Sequence, residues 1–470
     1  MAIFSVKHIL EVTECRLHSG EPSMQIEGVQ SDSRKVTRGD LFVALKGERV
    51  DGHEYVKEAF LRGAVCALVE RTTDEMVSDD KRCIVVTPNS VKALGEMAYW
   101  YRNRFSPRVI GVTGSIGKTT TKDLIQSVLS VEYNTLANEG NLNTEIGVPL
   151  TLFRLRDIHE VAVIEMGMRG AGQIAYLAGL ARPHIGVLTN ITESHLEVLG
   201  SVENIAKAKA ELLESLPPDG VAVLNQDNKW VVRMSEKFGG HKVWYSASEP
   251  ADVYAEHIQS LGDKGMRFEL VAAGQRCEIN LALAGYHNVS NALAAVATGI
   301  AMGLELSDVR AGLLAARASR MRTEVLEIGG FTLINDTYNA SPASNRAALA
   351  VQNDLAGDRR KIAVLGNMLE LGTYSRLGHV EVGEMVARQG VDVLITVGEL
   401  AGIIASTARE HGRTRVIEAA NNNEAAKILL GLVRPLDVVL IKGSRSVSME
   451  NIVMAIKARF GAEEPDDASH

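Results

Sequence analysis

Cysteine is scarce in this chain. Cys15, Cys66, Cys83 and Cys277 are the only four in 470 residues, and no two of them form a C-x-x-C pair. That spacing argues against a disulfide framework or a zinc cluster organising the fold, and suits reduced thiols. Long apolar runs are missing too. None reaches the ~18 residues that a membrane span requires, and the opening stretch MAIFSVKHILEVTEC lacks a signal-peptide pattern, so a cytoplasmic protein without membrane insertion is expected. Excess positive charge is absent as well. The net charge of -8 excludes a general nucleic-acid binder but leaves room for a local basic pocket facing an anionic small molecule. What is present is a globular composition, 46% hydrophobic and 23% charged, without low-complexity tracts or internal repeats. At roughly 100–200 residues per domain, this length implies about three domains.

Short apolar runs bounded by turn residues alternate with stretches of helical spacing. Residues 41–45, 66–70 and 83–86 read as strands of a small N-terminal α/β unit, and 90–101 as a helix that ends before Pro107. A boundary near residue 98 gives a first domain of 1–98. From Arg108 the order is strand (RVIGV), glycine-rich turn, then a helix in which Leu124, Ile125, Val128 and Leu129 form one stripe. Further buried strands at 161–164, 185–191 and 221–225 predict a mainly parallel sheet with helices on both faces, over 99–318. A new alternating series at 331–336, 362–365, 393–397 and 437–441 predicts a third, Rossmann-like α/β domain over 319–470. Its acidic, proline-containing end, 462–470, is expected to be disordered.

The strongest chemical signal is Thr113-Gly114-Ser115-Ile116-Gly117-Lys118-Thr119, between a strand and a helix. Glycines let the backbone wrap a phosphate, the helix N-terminus adds partial positive charge, and Lys118 can neutralise β/γ-phosphates. The Thr119 hydroxyl can complete the shell of a magnesium ion. Val112 stands where the strict G-x-x-x-x-G-K-[ST] pattern has its first glycine, so the loop is T-G-x-x-G-K-T. Glu165 closes an apolar run ahead of Met166-Gly167-Met168. It is either a metal ligand at a strand's C-terminal end or a solvated loop residue. Asn288 and Asn291, three apart, share a helix face and suit an adenine edge, a ribose or a helix cap.

This loop with its Thr-rich helix start, the run Asn138 to Leu150, the E-M-G triplet and Gly285-Tyr286-His287-Asn288-Val289-Ser290-Asn291-Ala292 resemble the Mur ligases and their relatives, the folylpolyglutamate synthetases. The resemblance covers nearly the whole chain and implies an ATP-dependent amide-bond ligase working through an acyl phosphate. It assigns ATP to Thr113–Thr119, Asn288, Asn291, Asp336 and one of Arg320 and Arg322, with Arg320 preferred. It assigns two magnesium ions to Thr119, Glu165, His195 and a carbamoylated lysine, with Lys209 favoured over Lys207. Lys118, Glu165, His195 and Lys209 would then be the catalytic set.

The segment Ser31-Asp32-Ser33-Arg34, then Gly39 to Arg49 and Asp51-Gly52-His53, is similar to the UDP-binding domain of the later Mur ligases. The D-N-P-R motif of the third-residue ligase is missing. Asn335-Asp336-Thr337-Tyr338-Asn339-Ala340-Ser341-Pro342 resembles instead the member that adds D-Ala-D-Ala, with Ser-Pro where Asn-Pro is usual. The resemblance thus implies ligation of D-Ala-D-Ala to UDP-MurNAc-tripeptide by a monomer. Substrate contacts would come from Ser31, Arg34, Asn138, Asn143, Thr144, Asn339, Ser444 and Arg445. Two readings compete: a third-residue ligase or folylpolyglutamate synthetase, and a nucleotide-binding partner without catalysis.

Overall fold

The computed structural model describes residues 2–47, 50–72, 82–194, 196–317 and 320–461. The first unit holds a five-stranded sheet ordered Arg16–Ser19, Cys83–Val86, Cys66–Val69, Asp40–Val43 and Gly28–Gln30. Only its Arg16–Ser19 edge runs antiparallel. The central unit holds nine strands. Thr135–Ala137, Val161–Glu165, Arg108–Thr113, Ile185–Leu188, Val221–Asn225, His241–Ser246 and Val253–Ser260 run parallel in that order. The last unit holds six strands, parallel except for its Glu324–Ile328 edge.

Five of the six residues of Arg108–Thr113 are buried, as expected for a strand covered on both faces. The helix that follows, Lys118–Leu129, buries the anticipated Leu124, Ile125, Val128 and Leu129. The long helix Tyr286–Ala301 packs against it through a run of small buried residues, Ala292 to Ala297 among them. The N-terminal unit is fastened by aromatics: Phe4 lies 5.6 Å from Phe153 and 6.1 Å from Tyr101, centroid to centroid. Tyr101 Oη donates to the Leu155 carbonyl at 2.9 Å.

Three expectations meet a different chain. Residue 98 lies inside an unbroken helix, Ser90–Arg102, so the connection to the central sheet is 103–107. The strand read as 185–191 stops at Leu188, because the next residues turn to clamp the phosphate loop. Strands Met266–Ala272 and Gln275–Leu281, with no counterpart in the sequence reading, add an antiparallel extension to the central sheet. The expectation for 462–470 lies outside the described residues.

Candidate active site

The phosphate loop is held in shape by the residues after strand Ile185–Leu188. Asn190 accepts the Ser115 N–H at 2.8 Å through its carbonyl and the Ile116 N–H at 2.9 Å through Oδ1. Asn190 Nδ2 and Thr189 Oγ1 both donate to the Ile116 carbonyl, at 3.0 and 2.9 Å. Ser115 Oγ receives the Thr192 N–H at 2.9 Å and the Ser194 hydroxyl at 3.0 Å. With Ser115 and Ile116 committed, the N–H groups facing an anion are those of the first helical turn, which have no intrahelical acceptor. Gly117 precedes that turn at φ +80, and a Cβ there would stand 2.5 Å from Asn291 Oδ1. Only glycine fits.

Lys118 folds back over the loop, donating to the Gly114 carbonyl at 2.8 Å and the Ser115 carbonyl at 3.3 Å. Burial holds this ammonium below its usual value, Glu165 opposes that, and nearby Arg322 reinforces it. A bound polyphosphate would pull it back up.

Glu165, 1% exposed, is where several expected residues meet. Thr119 Oγ1 donates to its Oε2 at 2.8 Å, and Asn143 Nδ2 to its Oε1 at 2.6 Å. Asn138 differs from its expected substrate contact. Its Nδ2 donates to the Leu142 and Glu165 carbonyls at 2.8 and 3.0 Å, and its Oδ1 accepts the Glu165 N–H at 2.9 Å. It is a buried clamp that aims Glu165. Lys122, not anticipated, supports it by donating to the Asn138 carbonyl at 2.8 Å. Thr144 is exposed beside this segment.

The structure separates the two candidate lysines on helix Val202–Glu214. Lys207 is exposed and pairs with Glu203 at 3.2 Å. Lys209 is 1% exposed and donates to the same Gly114 carbonyl as Lys118, at 2.8 Å. Burial first, and Lys118 second, push its amine well below the usual lysine range. The paired Thr119 hydroxyl and Glu165 carboxylate are hard oxygen donors that suit magnesium, and a carbamate on Lys209 would add a third. The His195 expectation lies outside the described residues.

Asn288 and Asn291 are buried and bonded to each other, Asn291 Nδ2 to Asn288 Oδ1 at 3.0 Å. Asn291 also accepts from Thr121 Oγ1 at 3.2 Å, so the pair braces the phosphate-loop helix. Asn288 lines a cavity of about 100 Å³ with Thr120, Arg322 and Thr323. Arg322, rather than the preferred Arg320, therefore faces the loop, with its guanidinium 3.8 Å above the Tyr338 ring. Arg320 is exposed.

Asp336 accepts the Thr323 N–H at 3.1 Å and the Lys442 ammonium at 2.5 Å. Lys442, 2% exposed, also donates to the Asn339 carbonyl at 2.8 Å. The resemblance implies substrate contacts from Ser444 and Arg445 in this loop and does not single out its lysine. Burial pushes the neighbouring His287 imidazole down. Ser444 is buried and accepts the Leu369 N–H at 2.9 Å, whereas Arg445 is exposed and donates to Glu450 at 2.8 Å.

In the N-terminal unit Arg34 is bidentate to Asp32, at 2.9 and 2.8 Å, and is otherwise exposed; Ser31 lies just ahead of this turn. His53 Nε2 accepts the Glu70 N–H at 2.8 Å, so its Nδ1–H donates to Asp51 at 2.6 Å.

Three family models match in chain order. "Mur ligase family, catalytic domain" covers 25–102, "Mur ligase middle domain" covers 112–299, and "Mur ligase, glutamate ligase domain" covers 321–445. The chain is 35% identical to the UDP-N-acetylmuramoyl-tripeptide–D-alanyl-D-alanine ligase of Bacillus subtilis, over 96% of this chain and 97% of that one. It is similar in structure to MurF from Acinetobacter baumannii, with TM-score 0.86 and 32% identity, covering 97% and 99% of the two chains. MurF ligase from Thermotoga maritima, in complex with ADP, gives TM-score 0.77 and 28% identity, covering 92% and 97%. This chain belongs to the Mur ligase family.

Proposed function

We propose that this chain is a cytoplasmic, monomeric ligase that joins D-Ala-D-Ala to UDP-MurNAc-tripeptide at the expense of ATP, for peptidoglycan precursor synthesis. The single observation that carries this reading is the convergence of Lys118, Thr119, Glu165 and buried Lys209 on one glycine-rich loop. The name of the Bacillus subtilis relative supports the substrates, and the ADP complex of the Thermotoga maritima enzyme supports the nucleotide. No helix among the described residues is long and apolar enough to cross a membrane.

A carboxylate and an amine do not condense in water without activation. The tripeptide's terminal carboxylate attacks the γ-phosphorus, ADP leaves, and the acyl phosphate is attacked by the dipeptide amine, which loses a proton as phosphate departs. Lys118 neutralises the phosphoryl oxygens, and the first-turn N–H groups hold them in line. Thr119, Glu165 and carbamoylated Lys209 would hold two magnesium ions, with His195 as a further ligand. The metal supplies charge neutralisation as anions crowd together. Asn138 fixes the backbone of Glu165 and Asn143 its carboxylate, so that it need not reorganise. Arg322 and Asp336 reach the nucleotide from the third domain, and Asn288 lies beside it. Ser31 and Arg34 contact the UDP moiety, Thr144 the peptide, and Asn339, Ser444 and Arg445 the incoming dipeptide, whose carboxylate Arg445 clamps.

ADP release, measured with UDP-MurNAc-tripeptide in the presence and absence of D-Ala-D-Ala, tests this reading. Release and a pentapeptide-mass product only with both substrates are expected. Release with a third-residue amino acid instead would replace the assignment, and no release in any combination would leave only a binding function.

A further inference from the structure

The end of the central sheet opposite the phosphate loop carries a separate cavity of about 810 Å³. Its walls are the last turns of helix Ser90–Arg102, the 103–107 connection, helix Gln173–Ala181, the entry to strand Ile185–Leu188 and the segment 215–219. The loop leaves the far end of the six-residue strand Arg108–Thr113, so the two sites lie roughly 20 Å apart at ~3.3 Å per residue.

Three nitrogen-bearing side chains line this cavity: Arg102, Arg182 and His184; Asp219 is the one acid lining it. Arg102 is 6% exposed, and Nε and Nη1 donate only to the Ala181 and Phe105 carbonyls, at 2.9 and 3.3 Å. Its Nη2 has no hydrogen-bond partner among the described residues. Arg182 donates to Asn103 Oδ1 at 3.3 Å. No carboxylate lies within ion-pair distance of Arg102, Arg108 or Arg182 among the described residues. His184 Nδ1 accepts the Val109 N–H at 3.2 Å, which puts the proton of the neutral ring on Nε2. Burial, then Arg102, Arg108 and Arg182, push His184 down against the pull of Asp219; burial and Arg182 likewise lower Arg102. Arg102 is buried while Arg182 and His184 are exposed, so the cavity presents positive charge with Asp219 as its one acid, and an anion would complement it. Two guanidinium groups and an imidazole N–H are donors of the kind that hold a phosphate dianion, and Tyr99 and Phe105 line the same cavity with aromatic surface.

We propose that this cavity binds a phosphate monoester with an aromatic or apolar body, its phosphate held by Arg102, Arg182 and His184 and its body set against Tyr99 and Phe105. Occupancy would tie the 103–107 connection to the central domain. The test is calorimetric titration of the full chain with phenyl phosphate, in the presence of ADP and magnesium so that the phosphate loop is filled. Saturable 1:1 binding is expected, with phenol, benzoate and inorganic phosphate at least ten-fold weaker. Arg182→Glu should weaken binding at least ten-fold. So should Gly179→Glu, whose Cβ meets nothing within 4 Å and which brings a negative charge to the cavity wall without a steric conflict. An unchanged melting shift with ADP would show that both variants keep the fold. Lys118→Ala should leave phenyl phosphate binding unchanged. Absence of saturable binding, equal binding by any of the three fragments, retention in both glutamate variants, or loss in Lys118→Ala would each overturn the proposal.

Discussion

Removing the buried amine of Lys209 should reveal what it contributes, provided volume and chemistry are varied separately. Its side chain is fully enclosed and makes one hydrogen bond, to the Gly114 carbonyl at 2.8 Å. Lys209→Ala deletes three methylenes beyond Cβ, at about 0.8 kcal/mol each, and a hydrogen bond of about 1 kcal/mol. A stability loss near 3 kcal/mol follows, against a few tenths for an exposed helix position such as Lys207. Lys209→Met keeps most of the volume and should cost under about 1.5 kcal/mol. Both should lose ligase turnover, because neither can carry a carbamate. Burial favours the neutral amine, which is the form that reacts with dissolved carbon dioxide. Only the alanine variant leaves space for a small acid, so acetate should restore part of its rate and none of the methionine variant's. Denaturant melts and ADP release at graded acetate read both quantities. Full turnover in Lys209→Met would refute a ligand role for this residue.

Gly117→Ala should destabilise by at least about 1–2 kcal/mol and raise KM for ATP, since it forces a side chain into φ +80 against Asn291; an unchanged melt and KM would contradict the loop geometry. Glu165→Ala should lose most activity and raise the magnesium needed for the remainder, leaving two hydrogen-bond donors, Thr119 and Asn143, without their acceptor; unchanged metal dependence would count against its ligand role. Asp51 is held below its ordinary value by the His53 N–H first, then by Arg71 and the His53 ring. The unfolded chain therefore takes up that proton first, so the stabilisation is complete above about pH 4 and is lost as the medium becomes more acidic. Asp51→Asn should flatten the dependence of melting temperature on pH in that acidic range, and an unchanged slope would remove this pair from the account.

The strands at 83–86, 161–164 and 393–397 were legible because buried parallel strands are continuous apolar runs, bounded by turns. The extension at 266–281 has no such run: MRFELVA alternates and buries one face only, so it does not show as a continuous apolar stretch. At the site, Lys118 and Thr119 stand out from the spacing of the loop, whereas Glu165 stays open between ligand and loop residue until the E-M-G resemblance is added; the structure brings Thr119 and Glu165 together. Which lysine mattered was not readable, since Lys207 and Lys209 differ only in the helix face they occupy. Arg320 and Arg322, two apart in a turn, are likewise told apart only by their surroundings. Asn138 and Lys442 show a further limit. A polar residue in a functional segment can face inward and position its neighbours, and only the partners of its amide or ammonium reveal this.

The central claim is that ATP is spent on an acyl phosphate of the tripeptide, and oxygen transfer tests it most directly. With UDP-MurNAc-tripeptide labelled with oxygen-18 in its terminal carboxylate, the account predicts one labelled oxygen in the phosphate released with each amide bond formed in the presence of D-Ala-D-Ala. Phosphate released without label while the amide forms would contradict it.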